Sequence, residues 1–286
     1  MKIGINVLLW TADLQFDAHE ALLEKIRNIG FEVFETSVGN MSARDVERFA
    51  KKAAQLGLEP QCTELFYASE ADVISADKAL RDNAVARIKS SILKARDMGS
   101  TLLSGPFFQG LCGSTDVGPT GDEWKWAVEC LRECAEAGKK SGIRLAGEPL
   151  NRFEMHIVNT ISDTAKMCDD IGMDNFGILA DTHHSNIEEL DMVDSYVRNI
   201  KKIFNVHISE SNRGIPGSGR GIPPELFAAL KDNGYQGNLV IEAFNANVPE
   251  TLKFLRIWKP LAKTTDEIAV KGFEYIQKNL KEIGAL

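Results

Sequence analysis

Short apolar runs alternate with longer stretches of helical periodicity along the whole chain. Residues 2–10 read as a first strand, and Phe16–Ile29 as a helix with Leu22, Leu23 and Ile26 at helical spacing. Gly30 stops that helix, and residues 31–37 form a second strand with Glu35 near its end. Ser42 is placed to cap a helix over Ala43–Leu56, which Gly57 terminates, and residues 59–66 follow as a third strand. Residues 75–98 are long and helical, and residues 100–105 are strand-like. Residues 106–121 are Gly-rich without periodicity and read as a long loop. Helices over 123–141, 163–171, 191–200 and 224–233 then alternate with apolar runs, and a last helix covers 265–280.

Eight strand–helix units with no polar linker, low-complexity tract or short internal repeat predict an α/β fold. The expected architecture is a (β/α)8 barrel of the TIM type, with residues 1–286 as a single domain. The last four apolar runs each end on a side chain able to ligate a metal. Residues 143–146 lead through Gly147 to Glu148, residues 176–180 to Asp181, residues 203–206 to His207, and residues 239–241 to Glu242. In a parallel barrel all strand C-termini open onto one face, so three carboxylates and one imidazole are expected to converge there. A single carboxylate near a strand is usually structural, whereas four successive strand ends of this kind predict a divalent metal.

Composition narrows the partners. The 286 residues carry a net charge of −8, with 44% hydrophobic and 26% charged residues, as in ordinary globular proteins. An acidic balance argues against a nucleic-acid surface, which needs a basic face. The apolar start of the chain meets Asp13 and Asp17 too early, and lacks the small-residue pattern, for a signal peptide. No apolar run approaches the ~20 residues that span a bilayer, so no membrane partner is expected. Five cysteines (Cys62, Cys112, Cys130, Cys134, Cys168) form no CxxC pair and read as free thiols in a reducing cytoplasm.

One imidazole with three carboxylates is a hard, mostly oxygen-donor set that suits Mn2+, Mg2+ or Co2+ better than a structural zinc. A site at a barrel mouth leaves positions for a substrate with two adjacent oxygens, such as an α-hydroxy ketone. There the metal would polarise the carbonyl and stabilise an enediolate. Glu148 and Glu242, from different strands, are placed to flank the substrate carbon, one removing a proton and the other returning it. Asn151, Arg152, Glu154, His184 and Arg213 follow the ligands on their loops. Arg152 has a competing use in pairing a loop carboxylate, and only one of His183 and His184 is expected to face the substrate. Trp10, ending the first strand, is expected to stack on substrate carbons, with Trp124, Trp126 and Trp258 in helix packing. The Gly-rich segment 214–221 looks like a phosphate cradle only superficially, because it runs into Pro223 and Pro224.

The segments Glu148-Pro-Leu-Asn-Arg-Phe-Glu154 with Asn159-Thr160, Asp181-Thr-His-His-Ser-Asn-Ile-Glu-Glu189, His207-Ile-Ser-Glu-Ser-Asn-Arg213-Gly and Glu242-Ala-Phe244 carry a resemblance. Together they resemble the D-tagatose 3-epimerase family, which includes D-allulose (D-psicose) and L-ribulose 3-epimerases among the xylose-isomerase-like barrels. The resemblance implies metal ligation by Glu148, Asp181, His207 and Glu242, usually of manganese, cobalt or magnesium, and an acid/base pair of Glu148 and Glu242 acting at C3 of a ketose. It implies that Glu154, His184 and Arg213 hold the O1 and O2 end of the sugar, that Phe244 is an apolar wall, and that the chain forms a homodimer or homotetramer. Phe254, Leu255 and Trp258 offer apolar surface for that assembly. The N-terminal half departs from the family pattern. Thr63-Glu64-Leu65-Phe66 stands where a Gly-Leu pair is common, and Phe107-Phe108-Gln109-Gly110-Leu111 where a segment of small and aromatic residues is common. Glu64 there reads as a solvent-facing loop carboxylate or an extra charge at the mouth.

The expected function is C3 epimerisation of a free ketohexose or ketopentose. The alternatives are aldose–ketose or hydroxypyruvate-type isomerisation on the same metal, a metal-dependent endonuclease-like phosphodiesterase, and a silent sugar-binding barrel. Only five histidines and the acidic balance count against the phosphodiesterase.

Overall fold

The computed structural model describes residues 1–113, 115–248 and 255–286. Eight strands run in chain order around a closed, all-parallel barrel: β1 Ile3–Asn6, β2 Val33–Ser37, β3 Glu59–Thr63, β4 Leu102–Gly105, β5 Arg144–Gly147, β6 Phe176–Asp181, β7 Ile203–Ile208 and β8 Asn238–Ile241. β8 closes on β1 with Val240 opposite Gly4. The helices among the described residues are α1 Phe16–Ile29, α2 Ala43–Leu56, α3 Lys78–Met98, α4 Gly121–Ser141, α5 Ile161–Ile171, α6 Thr182–Glu188, α7 Met192–Asn199, α8 Glu225–Asp232 and α9 Thr265–Glu282.

Side chains alternate across each strand, and this decides which residues reach the barrel axis. Phe34, Leu103, Leu145, Ile178, Val206 and Ile241 join the large core shared with the helix layer. Their neighbours, among them Glu35, Ser104, Asn205 and His207, face inward, where Leu102, Ala146 and Leu179 form a small apolar cluster. The helix ends follow their capping residues. Ser42 Oγ accepts the Asp45 amide, and Thr120 with Glu123 forms a reciprocal capping box that starts α4 two residues before the expected position. Asp77 caps α3, so that helix begins at Lys78 rather than at residue 75.

Three further expectations change. β1 stops at Asn6 because its side chain accepts the Leu8 amide and turns Val7–Leu9 into a 3-10 turn, so Trp10 does not end a strand. β3 stops at Thr63, since the Glu64 amide bonds across to Ser104 and the chain then leaves the sheet. α6 was not anticipated: Asp181 ends β6 and, through its side chain on the His183 amide, also caps a helix starting at the next residue. The loop after β4 packs closely on β5, as Gly147 shows: a Cβ there would meet the Phe108 ring at 2.2 Å.

Candidate metal centre and substrate site

Glu148 directly follows β5, Asp181 ends β6, His207 sits one residue before the end of β7, and Glu242 directly follows β8. All four are buried, and one ligand atom from each lies within 4.8 Å of the others. His207 Nδ1 is 3.7 Å from Glu148 Oε1, 3.9 Å from Asp181 Oδ2 and 3.6 Å from Glu242 Oε2. Among the described residues, Glu148 Oε1 and His207 Nδ1 are buried with no hydrogen-bond partner. Orphaned buried acceptors cost free energy, and a cation between these atoms satisfies them, so the donor set fits the divalent ion expected from the sequence.

The surrounding charges are unequal. Burial, then the charge on Glu242, pushes the Glu148 carboxyl well above its usual range. Burial also raises Asp181, to about 6, against the opposing pull of Arg213. Against the same burial penalty, His207 and Arg213 hold Glu242 well below the carboxylate range. His207 is raised, again against burial, by Glu35 and Glu242.

Behind His207 lies a contact that the strand pattern alone did not single out. Glu35, fully buried on β2, places Oε1 2.7 Å from His207 Nε2 and also accepts from the side-chain amides of Asn6 at 2.8 Å and Asn205 at 3.3 Å. The available signal was a carboxylate directly after the apolar pair Val33 and Phe34 inside a strand.

The residues expected to touch substrate are largely brought together. Arg213 Nη1 donates to Asp181 Oδ2 and Glu242 Oε2, both at 2.7 Å, and to Ser209 Oγ at 3.0 Å; its Nη2 lies 2.8 Å from His184 Nε2. Arg213 adopts φ +64, a left-handed conformation that turns its side chain back over the cluster and over the Phe244 ring, 5.4 Å from the guanidinium. His184 Nδ1 accepts the Asn151 amide at 3.1 Å, and Asn151 Nδ2 donates to Glu154 Oε1 at 2.7 Å, linking the loop after β5 to α6. Burial and then Arg213 push His184 well below the usual imidazole range, leaving it neutral. Glu148, Glu154, His184, His207, Arg213, Glu242 and Phe244 line a common cavity of about 70 Å³. It shares Leu111, Glu154, Arg213 and Leu255 with an outer cavity of about 590 Å³. A more open groove of about 720 Å³ between α1 and α9 contains none of these groups.

Other positions differ from expectation. Trp10 is not among the residues lining either cavity; its indole donates to Asp266 on α9 at 2.7 Å. Trp258 is 71% exposed and outside any helix, and Phe254 lies outside the described residues. Glu64 is buried rather than solvent-facing, paired with Arg87 at 3.0 Å and with Ser91 Oγ, although its residue borders the cavity. Arg152 clasps Glu188 in the loop-pairing arrangement. His183 turns Nδ1 to the Glu210 and Ser211 carbonyls and borders only the outer cavity. Leu8, Leu65, Pro106, Leu111 and Leu255 give the rest of the cavity wall a mostly apolar character, with Asn6 and Thr63 as further polar members.

Residues 23–277 match the xylose isomerase-like TIM barrel family. The L-ribulose 3-epimerase of Mesorhizobium japonicum is 33% identical over 262 residues, covering 91% of this chain and 88% of that protein. A D-psicose 3-epimerase of Ruminiclostridium cellulolyticum is 27% identical over 272 residues, 93% of this chain and 92% of its own. A solved structure of L-ribulose 3-epimerase superimposes with a TM-score of 0.93 at 31% identity, over 99% of this chain and 96% of that one.

Proposed function

We propose, from the premise that the chain belongs to the xylose isomerase-like TIM barrel family, that it is a metal-dependent ketose 3-epimerase acting on free ketohexoses or ketopentoses. The observation that carries this reading is the placing of two glutamates, Glu148 and Glu242, around one cation-fitting cluster. Glu148, Asp181, His207 and Glu242 would hold a divalent ion, Mn2+ by preference or Co2+ or Mg2+, which when bound polarises the substrate carbonyl and so acidifies the neighbouring carbon.

The protein's own residues then handle the sugar and its proton. Arg213, His184 and Glu154 bind the O1 and O2 end, held rigid by Asn151, which joins the loop after β5 to α6. Glu148 and Glu242 address C3 from different strands, one taking the proton from carbon and the other returning a proton to the opposite face, which inverts the centre. Which glutamate acts first depends on which epimer enters. Phe244 and the leucine wall cover the carbon chain and exclude water from the reacting centre. Further parts of this reading are one catalytic unit over residues 1–286, a cytoplasmic setting that suits five free thiols, and a homo-oligomer for which exposed Trp258 offers surface.

The test is a screen of free ketoses with Mn2+ in deuterated water, read by product stereochemistry. A ketose product inverted at C3 and deuterated there supports the epimerase. An aldose product would instead establish an isomerase on the same residues, and unchanged sugar would leave only a binding barrel.

A further inference from the structure

We propose that Glu35 is a positioning residue that presents His207 to the metal, taking the hydrogen on Nε2 so that the Nδ1 lone pair faces Glu148, Asp181 and Glu242. This inference rests on the reading of that cluster as a divalent-ion site.

The geometry fixes the hydrogen. Asn6 turns its side-chain oxygen to the Leu8 amide at 2.9 Å, so its Nδ2 is the atom that faces Glu35, at 2.8 Å. Asn205 Nδ2 approaches the other carboxylate oxygen at 3.3 Å, and His207 Nε2 stands 2.7 Å from the first. A carboxylate offers acceptors only, so the ring nitrogen beside it is the one that carries hydrogen. An imidazole that ligates a metal is neutral with one N–H, and with that hydrogen on Nε2 the Nδ1 lone pair is the one left to ligate. That atom is buried, has no hydrogen-bond partner among the described residues, and lies between 3.6 and 3.9 Å from three carboxylate oxygens.

Glu35 is fully buried, has no Lys or Arg within ion-pair distance among the described residues, and does not line the catalytic cavity. A charge so placed is costly unless its partners need it. A neutral glutamine fits these partners worse. One side of its amide is a donor, and the pocket presents donors from β1 and β7 to both oxygens. Metal-bound histidines commonly donate their second N–H to a carboxylate, which fixes tautomer and ring orientation.

The test measures Mn2+ binding directly, by calorimetry or by the paramagnetic signal of free Mn2+, on metal-stripped protein shown to be folded by circular dichroism. Glu35→Gln and Glu35→Asp are expected to weaken Mn2+ binding by about 10–100-fold. Glu35→Asp keeps the buried charge but withdraws it from the imidazole, and it serves if the glutamine variant fails to fold. Adding Glu35→Gln to His207→Asn is expected to cause no further weakening, because a residue acting through His207 has nothing left to act on. Unchanged affinity in the folded single variants, or an equal loss in the His207→Asn background, would overturn the role given to Glu35. A parent protein that binds no Mn2+ would instead overturn the metal-site reading itself.

Discussion

Glu148 and Glu242 bring carboxylate oxygens within 4.8 Å of each other, yet their surroundings are opposite. Glu242 Oε2 accepts from Arg213 at 2.7 Å, while Glu148 Oε1 accepts from nothing among the described residues. The same burial therefore acts on a carboxylate held by a hydrogen-bonded guanidinium and on one that His207 and Arg213 offset only from a distance. Environments that push two acids apart are a common basis for dividing proton donor from proton acceptor.

The first prediction concerns this pair. Glu148→Gln or Glu242→Gln keeps the shape but cannot move a proton, and turnover at saturating Mn2+ should fall by at least about 10²–10⁴-fold. Ketose binding should survive in Glu242→Gln. Rate measurements together with deuterium wash-in at C3 check this. A variant that still exchanges the C3 proton at the parent rate would remove its glutamate from the chemistry.

Metal removal is the second. Exhaustive chelation should abolish turnover, and Mn2+ or Co2+ should restore it. An ion that binds only the folded state also stabilises it, by about 2.7 kcal/mol at a hundred times its dissociation constant. Thermal unfolding with chelator and with excess Mn2+ should separate accordingly. Identical melting curves and full activity in chelator would exclude a required ion.

The clustering of the four donor side chains and the barrel were legible in the sequence because both are written in short-range pattern. A strand run followed by a donor side chain marks Glu148, Asp181, His207 and Glu242 wherever the barrel closes. Inward contacts were not legible, since Glu35 meets His207 across 172 residues and only the register of the closed sheet aligns them. The end of β1 was hidden for a local reason. Residues 2–10 are apolar almost throughout, and only the Asn6 side chain on the Leu8 amide tells the chain to turn, which displaces Trp10 to the α9 side. α6 was hidden because one residue, Asp181, ends a strand and caps a helix without a polar break between them.

Glu64 supplies the third prediction and shows the same limit. Its sequence neighbours suggested a loop charge, but Arg87 and Ser91 from α3 fold over it. Arg87→Ala leaves a buried carboxylate short of a partner and should destabilise the protein by about 1–3 kcal/mol. The ketose KM should stay at the parent value, because the carboxylate is already turned toward α3. Denaturant unfolding and steady-state kinetics check both halves. A change in KM without a change in stability would return Glu64 to the substrate site.

The last prediction concerns phosphorylated sugars. The Gly-rich loop after β7 has the amide-rich character of an anion cradle, but the chain fills it with its own anion. Glu210 accepts from the amides of Ser211 at 2.8 Å, Gly217 at 3.1 Å and Gly221 at 2.6 Å, and against its burial the Ser211 and Gly221 amides hold it below the usual carboxylate range. A Cβ at Gly219 would meet Glu210 Oε1 at 2.6 Å, so the loop is closed tightly around that side chain. A phosphate arriving there would have to displace a satisfied carboxylate and would meet its charge. Ketose phosphates should therefore be poorer substrates than the free ketoses, and inorganic phosphate should not compete with a free ketose. Competition kinetics decide the matter, since a ketose phosphate turned over in preference to its free sugar would require an anion site that Glu210 leaves no room for.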